Sequence, residues 1–310
     1  MAFKEIKRQH YVPETYLRHF SKGESGKHFI NVLPVESLEE DKIKKINISN
    51  LCLQNDFYTL PGDTSGERLA IENFYNMNWE KHYNKIYALL INPEKHIVTS
   101  VERELIISTV VTMLFRNAKF PNSINSFISN GLRQVYLKCK RDGNEHFIFC
   151  EEKISIKEKT LQQVLNEYET NSRPGRVLQQ IKAALKCVTL RILKDGIWVS
   201  KLTDDESEFI TSDNPVSCVN IGVSGRISPL DPTNTLHLPL DSKHRLSLFP
   251  YAENRTKHIV FRENLKGDIG TDQSIVNYSH QHRNAERFLL GTHSGLTKLV
   301  NMIEATNSPL

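Results

Sequence analysis

The sequence predicts an α+β fold: a central helical block, then a mostly antiparallel sheet, with an N-terminal hook packed against it. Three observations carry this reading. Segments with helical spacing of apolar residues fill positions 67–194. After residue 195 the chain turns to short runs of branched and aromatic residues divided by turn residues. The first 66 residues are extended, irregular and marked by proline. The 310 residues are read as a single domain with these three parts, 1–66, 67–194 and 195–310.

Taken in order, HFINVLP (28–34) reads as a strand, and Ile43, Ile46 and Ile48 carry alternating apolar character beyond it. DFYTLPGDTSG (56–66) is a loop, because Pro-Gly is followed by Asp, Thr, Ser and Gly. Residues 67–92 read as one helix, with Phe74, Met77, Trp79, Tyr83, Ile86, Tyr87 and Leu90 at helical intervals. A second helix starts at a capping box, Thr99 with Glu102, and stops before Pro121; its apolar stripe should pack on the first through Phe74, Tyr83, Val111 and Phe115. A third covers 123–140, and a fourth and fifth are separated at Arg173-Pro174-Gly175. GIWVSKL, EFITS, LHLPL, HRLSLFP and KHIVFR are strands, and TDQSIVNYSHQHRNAERFLL is a closing helix.

Composition excludes several classes. Charged residues at 25% and hydrophobic ones at 39% are ordinary globular values, and a net charge of +4 is a mild excess rather than a concentrated basic face. The five cysteines, at 52, 139, 150, 187 and 218, are scattered and form no CxxC pair, which points to reduced thiols in a cytoplasmic setting. No apolar run approaches the roughly 20 residues that span a bilayer, and no signal peptide is expected. The sequence holds no HExxH, GxxxxGK[ST], GxSxG or GxGxxG motif, so zinc protease, P-loop, serine hydrolase and Rossmann chemistry are not expected.

The stretch RQHYVPETYLRHFS (8–21), together with FITSDNPV (209–216), LHLPL (236–240) and VNYSHQHRNAERFL (276–289), resembles the bacterial and phage family catalogued as domain of unknown function 4238. Ile71-Glu72 and Leu114-Phe115-Arg116-Asn117 also stand where such members tend to have Glu and Arg. The resemblance spans nearly the whole chain. It implies no established activity, although a bacterial and phage setting suits a toxin or a phage-defence effector.

The residues themselves allow two roles each. Val12 precedes Pro13 and is held extended, so His10 and Tyr11 lie on an extended hook, and Pro13 suits the first turn of the helix that carries Tyr16, Leu17 and Phe20. His10 either packs that helix start or serves as a general base or acid, since imidazole titrates near neutral pH. Asp213 and Asn214 precede a proline at a strand end; they either cap the strand or form part of a site, where Asp213 would bind a metal or orient a histidine. Glu72 and Arg116 sit in apolar helices, as a buried ion pair, as solvated groups, or as an acid and a phosphate clamp. His280 and His282 flank Gln281 on a helix, which sets the two imidazoles about 200° apart and makes Gln281 and Arg283 equally good candidates to face a cleft. Glu151-Glu152-Lys153 behind an apolar run, with Asp142 upstream, loosely matches a nuclease pattern but reads as an exposed hairpin.

Two functions follow. The first is a phosphodiesterase acting on RNA or DNA, with catalytic His10, Glu72, Arg116 and Asp213 and substrate contacts from Tyr11, Asn214, Gln281 and Arg283. A divalent cation is the cofactor class that would suit it. In the second, the same residues form a structural polar cluster in a binding or regulatory module. The hook and the Asp213 turn should meet in either case.

Overall fold

The computed structural model describes residues 8–60, 63–116, 119–149, 152–220, 230–231, 233–250 and 256–307. The chain divides into two compact units, one formed by residues 1–117 and 183–310 and the other by 118–182. Its architecture is the α+β fold expected from the sequence.

The larger unit is built around the helix Ser100–Arg116. Its start is fixed by a reciprocal cap: the Thr99 amide donates to Glu102 Oε2 at 2.8 Å and the Glu102 amide donates to Thr99 Oγ1 at 3.2 Å. Ile106, Ile107, Val110, Val111, Met113 and Phe115 are buried, and so are Arg103, Ser108, Thr109, Thr112 and Arg116, so the helix is enclosed almost all round and carries polar groups into the core. The expected partners Tyr83, Val111 and Phe115 are interior, and Phe74 is half-buried.

Two five-stranded sheets complete this unit. In the first, Ser217–Val219, Thr235–Pro239, His244–Pro250, Asp195–Leu202 and Val260–Leu265 lie in that order, antiparallel except for the last pair. Strand alternation sends Leu236, Leu238, Leu246, Leu248, Ile197 and Val199 to one buried face. The second sheet joins chain segments far apart in sequence. Phe288–Gly291 pairs antiparallel with both Lys27–Pro34 and Thr211–Ser212. Its core gathers Leu33, Ile210, Leu289, Leu296 and Leu299.

Three expectations change, and one helix is added. Residues 67–92 do not form one helix: Ala70–Asn78 and Tyr83–Ile91 are separated by a 3₁₀ turn at Glu80–His82. Asn78 Nδ2 donates to the Phe74 carbonyl at 2.7 Å, the kind of local competition that stops a helix. The Arg173-Pro174-Gly175 stretch does not divide two helices, because Leu161–Lys194 runs as one. A proline forfeits one backbone bond, and the Leu, Gln, Lys and Ala residues that follow are strong enough helix formers to carry the turn onward. The closing helix ends at Asn284, and Phe288–Gly291 is a strand because neighbours on both sides supply its backbone bonds. A last helix, His293–Asn307, follows, and Gly295 lets it approach so closely that an added Cβ would stand 3.0 Å from Ile210 Cγ2.

In the smaller unit, helix Lys119–Arg141 packs with the hairpin His146–Phe149 and Glu152–Ser155 around Leu132, Tyr136, Ile156, Val164 and Tyr168. This is the exposed hairpin expected there. Glu151 lies outside the described residues, Glu152 and Lys153 are exposed on the second strand, and Asp142 is exposed beside Arg141. Among the described residues, no helix is long and apolar enough to cross a membrane.

Candidate functional site

The hook begins as a strand, Arg8–His10, paired antiparallel with Leu53–Asn55, and the Tyr11 amide donates to the Cys52 carbonyl at 3.0 Å. Because successive residues of an extended chain face opposite ways, His10 and Tyr11 enter different surroundings. They organise two clusters.

Around His10 the network is centred on Arg116, the last residue of the central helix. Its Nη2 donates to the His10 carbonyl at 2.8 Å, Nη1 pairs with Glu80 Oε1 at 2.5 Å, and Nε donates to Tyr58 Oη at 3.3 Å. Its guanidinium also lies 4.5 Å from the centroid of Tyr75. Burial opposes the Arg116 charge, but Tyr58 and Glu80 outweigh it, so the proton is held more tightly than usual. Gln9, fully buried, accepts the Tyr58 amide at 2.6 Å and meets Glu72.

Around this buried guanidinium lie three half-buried groups that each interact with it, His10, Glu72 and Glu80. Burial lowers the His10 pKa while Glu14 and Glu80 pull it back up, and it raises that of Glu72 against the opposing pull of Gln9 and Arg116. The two shifts draw an imidazole and a carboxyl toward each other on the pH scale. Among the described residues, His10 Nδ1 and Glu72 Oε2 are both buried without a partner. Such atoms carry a cost, and a native site that retains them invites a chemical explanation.

The second cluster surrounds Asp213. Its two carboxylate oxygens accept the amides of Glu286 and Arg287, each at 2.9 Å, and its own amide donates to the Phe288 carbonyl at 3.0 Å. Burial raises the Asp213 pKa against the pull of these amides. Tyr11 faces Cys52, Asp213 and Arg287. Asn214 Nδ2 donates to the Asn284 carbonyl at 3.1 Å, and Asn284 Nδ2 returns bonds to the carbonyls of Asn214 and Val216. Gln281 is not aimed at a cleft: it is wholly buried, accepts from Ser212 Oγ at 2.7 Å and donates to the Pro215 carbonyl at 2.9 Å. With Asn277 accepting the Ile210 amide at 2.9 Å, helix residues 277, 281 and 284 form a ladder that holds the segment 210–216, of which Thr211–Ser212 is strand. Arg283 is exposed.

The hook does reach the Asp213 strand, where Tyr16 Oη lies 2.6 Å from Thr211 Oγ1 and donates to the Pro239 carbonyl at 2.9 Å. His10, Glu72 and Arg116 come together, and Tyr11, Asp213, Asn214 and Gln281 come together. The groups acting on His10 are Glu14, Glu80, Leu51 and Arg116; those acting on Asp213 are Glu286, Arg287 and Phe288, and the two sets share no member. Arg116 therefore has Glu80, not Glu72, as its direct ion partner. Glu80 and Gln9 carry no sequence signal: helical periodicity runs through the first, and the second is an uncharged neighbour of His10. Among the described residues, no three His, Cys, Asp or Glu side chains are arranged to hold a metal ion.

A second carboxylate–imidazole pair lies in the turn between two strands. Asp241 accepts Tyr87 Oη at 2.6 Å and the amides of Lys243 and His244, each at 2.7 Å, and its Oδ2 is 2.9 Å from His244 Nδ1. This turn ties the sheet to the helix Tyr83–Ile91.

Compared with known proteins, residues 8–293 match the family model described as "Protein of unknown function (DUF4238)". No curated protein and no solved structure matches the chain.

Proposed function

Because the chain belongs to the DUF4238 family, whose description names no activity, we propose from the site alone that it is a phosphodiesterase acting on RNA or DNA. The observation that carries this reading is the His10–Glu72–Glu80 group around the Arg116 guanidinium, with one imidazole nitrogen and one carboxyl oxygen without partners among the described residues. A neutral imidazole can take the proton of an attacking hydroxyl or water, and a carboxyl with raised pKa can return one to the leaving oxygen. Arg116 supplies positive charge beneath, where a phosphorane would develop negative charge. It acts through Glu80 and the His10 backbone rather than as a free fork, since three of its N–H groups are already bonded. Asp213 falls outside this chemistry. A toxin or phage-defence effector is the setting we propose for such an activity.

A second reading has its own observation. Asp213, Asn214 and Gln281 satisfy backbone groups on neighbouring segments, which is what a structural polar cluster in a binding or regulatory module does.

The test is cleavage of single-stranded and duplex RNA and DNA, with magnesium or manganese supplied. His10→Asn and Glu72→Gln should each lower the rate by about 10²-fold or more while leaving the melting temperature close to that of the wild type. Unchanged cleavage in both variants, or no cleavage by wild type on any of these substrates, overturns the phosphodiesterase.

A further inference from the structure

The first sheet has two unlike faces. Opposite its leucine face, register places Ser217, His237, Ser247, Trp198 and Phe261 in one cross-strand row, and Arg245, Ser200 and Glu263 in the next. The helix Gly267–Asn284 adds Gln273 and His280, two turns apart, to this side. His237 Nδ1 lies 2.7 Å from Ser247 Oγ, and its ring stacks on His280 with centroids 5.9 Å apart.

Arg245 is 6% exposed, yet among the described residues no carboxylate forms an ion pair with it. Its Nη2 donates to Gln273 Oε1 at 2.7 Å, and its guanidinium lies 5.2 Å from the Phe209 centroid. Glu263, the carboxylate whose field it feels, accepts Ser200 Oγ at 2.6 Å. Among the described residues, Arg245 Nε, Ser217 Oγ and Trp198 Nε1 are buried and have no partner. Three unpartnered polar atoms and a buried cation without an ion pair on one sheet face amount to a donor set lacking an acceptor. Burial lowers the pKa of both His237 and His280, and Arg245 adds to it, so both rings are neutral at physiological pH and either can donate a hydrogen bond. Trp198, His237 and His280 are half-buried. The Trp198 ring lies 5.7 Å from Phe261, nearly parallel, and 5.8 Å from Phe249, edge-on.

We propose that this face binds a nucleotide, its phosphate held by Arg245 and the His237–His280 pair and its base stacked at Trp198. A phosphate brings several acceptor oxygens to a group of donors and balances the buried guanidinium. An aromatic shelf takes any base, because every base has a π face. Neither half alone explains the face: a bare anion has no use for the aromatic row, and an uncharged aromatic compound leaves Arg245 unbalanced. The site is separate from the His10 group and stands or falls independently of cleavage.

Only two tryptophans occur in the chain, so a Trp79→Phe background makes Trp198 the sole reporter. Titrating that full-length chain with adenosine 5′-monophosphate should quench Trp198 fluorescence, with calorimetry giving the affinity. His280→Ala, on the half-buried helix side, and Arg245→Gln should each weaken binding by about 10-fold or more; should Arg245→Gln fail to fold, His280→Ala and Arg245→Lys carry the test. Adenosine and inorganic phosphate should each bind at least about 10-fold more weakly than the nucleotide. No binding at millimolar nucleotide, equal binding by folded variants, or adenosine or phosphate alone binding as tightly as the nucleotide overturns the proposal.

Discussion

Replacing Asp213 with Asn separates a carboxylate used in chemistry from one used to hold the fold. In the native chain the two oxygens accept the amides of Glu286 and Arg287, each at 2.9 Å, with the side chain 1% exposed. Bonds to a charged acceptor contribute about 1.5–3 kcal/mol each. The amide of Asn keeps one acceptor oxygen and turns an NH₂ toward the other backbone donor, so one bond is lost and two donors are opposed. Removing a charge that burial disfavours offsets part of this, because burial already raises the Asp213 pKa. The net cost should be about 2 kcal/mol, and Asp213→Ala, which loses both bonds, should cost about twice that. Urea denaturation monitored by circular dichroism gives both values, since a shift in midpoint at constant slope is a change in stability. The direction with pH is also fixed. A carboxyl whose native pKa lies above its unfolded value binds its proton more readily in the folded state. Wild type should therefore gain stability relative to Asp213→Asn as pH falls through the native pKa toward about 4. If Asp213→Asn is as stable as wild type, and cleavage of RNA or DNA is lost with it, the clamp reasoning is wrong and Asp213 belongs to a reaction.

Glu80→Ala should destabilise the chain by about 3 kcal/mol in the same assay, because it leaves the 3%-exposed Arg116 guanidinium without its ion partner; a change below about 0.5 kcal/mol would mean that the Tyr58 and Tyr75 rings suffice. His237 resists protonation down to about 3 through burial, whereas in the unfolded chain it protonates near 6.5. Between those values the unfolded state binds the extra proton, so stability rises with pH, and is lost as pH falls, at about 1.4 kcal/mol per unit for this group. His237→Asn should flatten the measured slope by that amount, and an unaltered slope would show that the imidazole titrates normally.

What the sequence disclosed and what it withheld divide along physical lines. The strands Lys27–Pro34, Asp195–Leu202 and His244–Pro250 were legible because branched and aromatic residues run between clear turn residues. The start of the central helix was legible because Thr99 and Glu102 form a local device needing no distant partner. Phe288–Gly291 was not, since its four residues are held by segments about 80 and 255 positions away that local pattern cannot register. The candidate site divides the same way. His10, Glu72 and Arg116 stand out in the sequence, as do Tyr11 and Asp213 beside Pro13 and Pro215. Their grouping depends on strand parity at His10 and Tyr11, and on Glu80 standing in a 3₁₀ turn rather than a helix. Arg245 and His237 look like ordinary members of half-polar strands until register aligns them with Trp198 and Ser217.

The pairing of Phe288–Gly291 with Lys27–Pro34 also sets a timetable for synthesis. At about 5–20 residues per second, a ribosome needs roughly 13–50 s to make the stretch of about 255 residues between the two strands. Lys27–Pro34 can pair early with its near neighbours Lys22–Glu24 and Lys44–Asn47, but the other edge of residues 31–34 must wait for the last strand. Throughout that interval a buried-to-be edge, with Val32 and Leu33 beside it, faces solvent and other nascent chains. The emerging polypeptide is therefore a natural client for chaperones that cover apolar strands. Any message truncated before codon 288 would yield a chain with that edge permanently open.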